Sequence, residues 1–312
     1  MMTLTARQIA RHFASCADRS ARLICSAAVG SSAAPHVPDL DAPFTGHGSG
    51  TASFGYEEVR EEEKAERVGH VFSSVAPSYD IMNDLMSAGL HRLWKDRLVA
   101  AVQPYAGMQH LDVAGGTGDV AFRVLRAMQS SQAQQQETSS SPEQIALGHV
   151  HLCDINPGML QEGFRKAQET GLGKSGALHW VTGDAEQLPF QDASIDAYTI
   201  AFGIRNVTHI DAALDEAFRV LRKGGAFHCL EFSQLALPGL QELYDAYSFN
   251  VIPQIGRVVA NDEASYQYLV ESIRRFPDQQ TFASLVRMAG FKNVTYKNLT
   301  GGVCAIHSGF KW

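Results

Sequence analysis

Three acidic residues stand at or beside the ends of apolar runs, each next to a turn that could hold part of one small ligand. The first lies in His110-Leu111-Asp112-Val113-Ala114-Gly115-Gly116-Thr117-Gly118-Asp119-Val120-Ala121. Its apolar lead reads as a buried parallel strand, and Phe122, Val124 and Leu125 continue as a helix. Glycines at such a turn let the backbone approach a ligand closely, next to helix N–H groups that favour negative charge. Asp112, inside the strand, can take a cationic amine or order the turn through water. The second acid, Asp154, ends the run His149-Val150-His151-Leu152-Cys153-Asp154 and is followed by Ile155. An acid at that place can accept hydrogen bonds from a ribose diol. The third follows Leu178-His179-Trp180-Val181, in Gly183-Asp184-Ala185-Glu186-Gln187-Leu188-Pro189-Phe190. It can offer Asp184 to an adenine amine and a backbone N–H near Ala185 to a ring nitrogen. Alone, Asp184 reads as a turn residue; as the third loop around one ligand it becomes a candidate.

The glycine pattern is ambiguous. Gly116-x-Gly118-x-x-Ala121 also satisfies a dinucleotide-binding fingerprint. Asp119 stands at the helix start, where a pyrophosphate would dock and a carboxylate would repel it. Asp154 comes 36 positions after Gly118, against about 20 in the dinucleotide spacing, an excess that a low-complexity insertion between them accounts for. A ligand with a cationic amine and no phosphate fits these residues better, and S-adenosyl-L-methionine is the expected cofactor.

The elements that must position these residues alternate strand and helix. A fourth strand, Ile195 to Phe202, brings Ala201 and Phe202 to the same edge and runs into Gly203-Ile204-Arg205-Asn206-Val207. Thr208-x-x-Asp211 reads as a capping box for a helix over 211–222, which Lys223-Gly224-Gly225 would end. Ala226–Phe232 is a fifth strand. A helix at Phe282–Ala289 and strands at Val294–Leu299 and Val303–Phe310 follow. The short turn Thr300-Gly301-Gly302 can only join antiparallel neighbours. The expected fold is α/β: a Rossmann-like αβα sandwich, with a mostly parallel sheet, a C-terminal antiparallel hairpin, and helical N-terminal and cap segments. Ligands of such sheets bind at the C-terminal ends of the strands.

Composition bounds the rest. The chain has 312 residues, a formal net charge of −7, 45% hydrophobic and 19% charged residues. That is too apolar for disorder and lacks the basic balance of nucleic-acid binding. Five cysteines without close pairing, and no Cys/His ligand spacing, suggest neither a disulfide framework nor a metal site. Residues 1–38 hold four arginines and one acid among Ser and Ala, the composition of a mitochondrial transit peptide, with an ordinary unstructured terminus as the alternative. Residues 39–55 read as a linker and 56–312 as the folded domain. The charged stretch 57–67 reads as a solvated helix face, and Leu90, Leu93, Trp94, Leu98 and Val99 as an amphipathic helix. The low-complexity stretch 129–148 reads as a surface loop.

Together these motifs resemble the class I methyltransferase superfamily, and within it the ubiquinone/menaquinone biosynthesis C-methyltransferases. The similarity rests on Val71–Asp84 with Phe72, Tyr79, Asp80 and Asn83, on Leu111–Asp119, and on Phe202-Gly203-Ile204-Arg205-Asn206-Val207. It extends to Tyr244-Asp245-Ala246-Tyr247-Ser248-Phe249 and to Ser265-Tyr266-x-Tyr268-Leu269-x-Glu271-Ser272-Ile273. One departure is Ala201, where bacterial members often carry serine.

The resemblance implies methyl transfer from S-adenosylmethionine to a ring carbon of a polyprenyl benzoquinol. It implies a cofactor site of Tyr79, Asp112, Gly115, Gly116, Thr117, Gly118, Asp154, Ile155, Asp184, Ala185, Ala201 and Phe202. A ring carbon becomes nucleophilic when the neighbouring phenol ionises, and a fixed cation lowers a phenol pKa from its ordinary value near 10. Arg205 is the best-placed cation and Asn206 could orient the ring hydroxyl; the structural alternative for Arg205 is an ion pair with Glu231. Residues 240–276, with Tyr244, Tyr247 and Ile252, are expected to cap the site and line a corridor for the polyprenyl tail. A helix packed on the core and a homodimer interface are the other readings of that segment. The family also implies a complex with other ubiquinone-biosynthesis proteins and peripheral contact with the matrix side of the mitochondrial inner membrane. Three rival functions stand beside this one: an NAD-dependent oxidoreductase, a non-catalytic methyltransferase-fold assembly module, and a small-molecule or protein N-methyltransferase, which the Arg205 and Tyr247 segments disfavour.

Overall fold

The computed structural model describes residues 50–75, 83–84, 87–138, 145–235 and 263–312. Residues 1–38, Tyr79, and the stretch carrying Tyr244, Tyr247 and Ile252 lie outside the described residues.

A seven-stranded sheet forms the centre. Its strands are β3 (Gln109–Val113), β4 (His149–Asp154), β5 (Leu178–Thr182), β6 (Ile195–Ala201), β7 (Leu221–Phe232), β8 (Lys292–Leu299) and β9 (Cys304–Phe310), in the order β5-β4-β3-β6-β7-β9-β8. The first five are mutually parallel, and β9 runs antiparallel to both β7 and β8. This is the expected sheet, with the terminal hairpin inserted so that β9, not β8, pairs with β7. Leu111 and Val113 face one side, toward a core with Tyr198, Phe227, Phe282 and Phe291. Val150 and Leu152 face the other, with Trp94, Leu98, Leu125 and Met128. A parallel sheet is buried on both faces, so its strands read as apolar runs rather than alternations.

The helices are α1 (Glu61–Val75), α2 (Leu90–Val102), α3 (Asp119–Thr138), α4 (Pro157–Glu169), α5 (Ile210–Val220), α6 (Glu263–Arg275) and α7 (Gln279–Met288). Helix α4 starts as its sequence dictates: the Asn156 side chain accepts from the Gly158 and Met159 amides, with Pro157 just inside.

Several boundaries differ from the expectation. The linker does not reach residue 55, because β1 (Thr51–Phe54) and β2 (Glu57–Arg60) pair as an antiparallel hairpin before α1. The low-complexity stretch is not a loop from 129 onward: α3 continues through Thr138, since Gln, Ala and Glu are good helix formers. Thr208 is not a cap. Helix α5 begins after His209, which makes no side-chain cap, and Glu186 receives the Thr208 and His209 amides instead. That helix ends at Val220, and Leu221 already opens β7, whose pairing with β6 shifts register between Ile195 and Ala197. No helix of the described residues is long and apolar enough to cross a membrane.

Candidate active site

The three acid-bearing turns converge at the C-terminal ends of β3, β4 and β5, which are neighbours in the sheet. Asp112 is fully buried. Its Oδ1 accepts a 2.6 Å hydrogen bond from the Thr199 hydroxyl, which His110 Nε2 meets at 3.0 Å. Its Oδ2 is buried with no hydrogen-bond partner among the described residues. Burial pushes this carboxyl up to about 7, against the pull of Thr199, the Ala121 amide and Lys95. A buried, unpaired carboxylate oxygen is costly unless a cation or donor meets it.

The glycine turn wraps that oxygen. A Cβ on Gly115 would stand 3.1 Å from Asp112 Oδ2 and 2.9 Å from Leu152. Gly118, at φ 87°, would place one 2.8 Å from Phe122. Asp154 is buried and fixes the turn from the side, its Oδ2 accepting from the Gly116 amide at 2.8 Å and its Oδ1 from the Asn156 amide at 2.8 Å. Burial raises its pKa, with these two amides pulling it back. Beside it Ile155 is 49% exposed, an apolar surface at a strand end where a flat ring could rest. Thr117 is buried, whereas Asp184 is exposed and its Oδ1 caps the Glu186 amide. The Ala185 side chain is buried beneath that turn.

Ala201 ends β6 and Phe202 follows it, next to the glycine turn. Phe202 has φ 58° and sits in an aromatic corner with Trp94 and Phe232, ring centroids 4.8 Å from Phe232 and 6.2 Å from Trp94. Arg205 lies under this corner. Its Nη1 donates to the Phe202 carbonyl at 2.6 Å and to Glu231 Oε1 at 2.9 Å, and its guanidinium lies over the Phe232 ring at 5.4 Å. The structural alternative for Arg205 is therefore realised. Glu231 is buried, which raises its pKa against the pull of Arg205. Asn206 Oδ1 accepts from the Tyr268 hydroxyl of α6 at 3.0 Å. Tyr268 is held up at about 12 by burial, so it remains a proton donor at neutral pH.

Three residues that the sequence does not single out lie beside the candidate site. Glu186 ties the Asp184 turn to the β6–α5 segment through the Thr208 and His209 amides and a 2.7 Å contact with His209 Nδ1. Lys64 of α1 is buried and donates to the Val207 carbonyl at 2.9 Å. Lys95 of α2 is buried and pairs with Asp119 at 2.9 Å; Arg123 pairs with the same carboxylate at 3.0 Å. These cations hold the Asp119 carboxyl down at about 2 despite its burial. The charge expected to repel a pyrophosphate is thus already neutralised, and Asp119 does not by itself exclude a dinucleotide.

The residues present fit an adenosyl ligand with a cationic amine. Asp112 Oδ2 offers an unpaired acceptor, the glycine turn leaves no room for side chains, and Ile155 and the Asp184–Ala185 turn flank the edge. Sheet order and glycine turn together define the class I methyltransferase fold. Solved structures agree on the fold. An S-adenosylmethionine-dependent methyltransferase from Thermotoga maritima superposes with TM-score 0.52 at 16% identity, over 78% of this chain and 99% of that one. The [4+2]-cyclase SpnF does so with TM-score 0.54 at 16% identity, over 78% and 94%. Two such different descriptions on one scaffold show that the fold alone does not set the reaction. Sequence comparison is more specific. Residues 60–311 match the ubiE/COQ5 methyltransferase family model, and the chain belongs to that family. A relative from Oryza sativa subsp. japonica, named 2-methoxy-6-polyprenyl-1,4-benzoquinol methylase, mitochondrial, is 58% identical over 84% of this chain and 89% of its own length. The protein of that name from Homo sapiens is 55% identical over 83% of this chain and 84% of its own.

Proposed function

We propose that this protein transfers a methyl group from S-adenosylmethionine to a ring carbon of 2-methoxy-6-polyprenyl-1,4-benzoquinol, a step of ubiquinone biosynthesis. Family membership makes it a methyltransferase, and the acceptor follows the names of relatives that are 55% and 58% identical over the aligned part of the chain. The observation that carries the reading is the contact between Gly203 and Ala114. It locks the Phe202–Asn206 segment against the glycine turn, so that an aromatic, cation-bearing corner adjoins the cofactor loops.

When bound, S-adenosylmethionine supplies a methyl on a cationic sulfur, an electrophile that needs no further activation. The chain supplies alignment and a more nucleophilic acceptor. Asp112 Oδ2 receives the amino end of the ligand and Asp154 the ribose. Asp184, Ala185 and Ile155 hold the adenine, with Tyr79, Gly115, Gly116, Thr117, Gly118, Ala201 and Phe202 lining the rest. Arg205, held through Nη1 by Glu231 and the Phe202 carbonyl, keeps other guanidinium N–H groups to donate to the phenolate of the acceptor and favour it. Asn206, fixed by Tyr268, orients the ring hydroxyl. Arg205 is not the base, because its guanidinium stays protonated. Tyr244, Tyr247 and Ile252 are the proposed wall for the polyprenyl tail.

The relatives named mitochondrial and the Arg-rich terminus support residues 1–38 as a transit peptide. A lipid-soluble acceptor supports peripheral attachment to the matrix side of the inner membrane, within a complex of ubiquinone-biosynthesis proteins; the 240–276 segment could also carry a homodimer contact. Calorimetric titration with S-adenosylhomocysteine and, separately, with NADH tests the cofactor assignment. Saturable binding of the first and none of the second is expected. The reverse would install the oxidoreductase reading, and binding of neither would favour the assembly module.

A further inference from the structure

Helix α1 makes contacts that a solvated helix does not need. Lys64 is 5% exposed and donates to the Val207 carbonyl beyond β6 at 2.9 Å. One turn earlier, Glu61 Oε1 stands 3.5 Å from Nε2 of His209, whose Nδ1 meets Glu186 of the Asp184 turn at 2.7 Å. Further along, the Gly69 carbonyl accepts from Asn156 Nδ2, just beyond Asp154, at 3.3 Å. The helix is thus fastened to the segment between β6 and α5 and to the loop after β4, and these two strands flank β3 and its glycine turn.

Gly69 supplies a second, independent observation. It lies inside a helix, where glycine is a poor choice relative to alanine. Its φ is not positive, and a Cβ built there meets nothing within 4 Å among the described residues. Among the described residues no neighbour requires glycine at that place, although its carbonyl touches the loop assigned to the ribose.

We propose that α1 is the strap over the cofactor cleft. Lys64 and the Glu61–His209–Glu186 clasp are its positioning residues, and Gly69 is the point where the bound nucleoside passes under the helix. The proposal rests on the cofactor reading given above. Release of the spent cofactor then requires α1 to lift from the β6 and β4 loops.

Gly69→Ala and Lys64→Met in the full chain test it. Calorimetry with S-adenosylhomocysteine and amide hydrogen exchange across residues 61–75, with and without that ligand, are the readouts. The expected result is a tenfold or greater loss of affinity in Gly69→Ala together with an unchanged or raised melting temperature. Lys64→Met should bind several-fold more weakly, and the ligand should slow exchange in wild-type α1. Wild-type binding with unaltered affinity in both variants and no protection of α1 would overturn the strap alone. A wild-type protein that binds no S-adenosylhomocysteine would overturn the cofactor reading and the strap with it.

Discussion

Gly203 lies so close to Ala114 that a β-carbon on it would stand 2.4 Å from the Ala114 Cβ. Ala114 is the hinge of the glycine turn, at φ 50°, and Gly203 opens the segment that carries Arg205 and Asn206. The cofactor edge and the proposed acceptor corner are therefore one packed unit, and a change in either moves both.

Gly203→Ala should separate the two halves. Overpacking of this kind costs about 1–3 kcal/mol, and here the strain falls on the glycine turn. A lower melting temperature and weaker S-adenosylhomocysteine binding are expected together, read by differential scanning calorimetry and titration.

On the proposed assignment of Asp112 to the amino end of the cofactor, binding depends on pH. The Asp112 carboxyl titrates at about 7 in the folded protein, far above the ordinary value of 3.8. Folding therefore favours the protonated acid, and the stability this group contributes declines as pH rises from about 4 through 7. Binding of an ammonium group has the opposite sign, because it needs the carboxylate. S-Adenosylhomocysteine affinity should rise between pH 5.5 and 8 in the wild type. In Asp112→Asn it should be weaker by about tenfold or more and nearly flat across that range.

Acid should unfold the protein early. His110, His228 and His307 are buried, with pKa values lowered by burial to about 3, 4 and 4. An unfolded chain takes up protons near pH 6.5 that these folded sites refuse, so stability present above 6.5 is lost as pH falls toward 4. Each buried site is worth on the order of 2–3 kcal/mol across that window. His151, lowered to about 4 by burial and then by His179 and His149, acts in the same direction. A melting temperature that stayed constant from pH 7 to 4.5 would contradict this account.

The Arg205–Glu231 pair separates structure from chemistry. Glu231→Gln leaves a buried guanidinium without its carboxylate and should cost about 3–5 kcal/mol. Replacing both, as Arg205→Met with Glu231→Leu, should recover much of that loss yet abolish turnover. Arg205→Lys keeps the charge without the planar fork. It should lower kcat by about a hundredfold while S-adenosylhomocysteine binding is retained.

Much of this was legible in local pattern. The parallel strands are legible as apolar runs, and β4 spans the run His149–Asp154 that its sequence marks. The acid-and-glycine turns were legible because each combines a strand end with residues that only a ligand or a tight turn requires. Long-range partners left no such trace. Lys64 and Lys95 looked like ordinary charges on amphipathic helices, since nothing nearby in sequence marks Val207 or Asp119 as their acceptors. Glu186 was hidden in the same way, within a turn read for Asp184. The capping box at Thr208 failed because a distant carboxylate had already taken its amide. Low complexity at 129–138 suggests a loop, although its Gln, Ala and Glu content favours helix.

The central claim is methylation of an ionisable quinol ring. Purified protein supplied with methyl-labelled S-adenosylmethionine and a short-chain 2-methoxy-6-prenyl-1,4-benzoquinol, held reduced, tests it directly, with the oxidised quinone as control. The account predicts label on a ring carbon with the quinol alone. Label on an oxygen, equal transfer to the quinone, or no transfer from a protein that binds S-adenosylhomocysteine would contradict it.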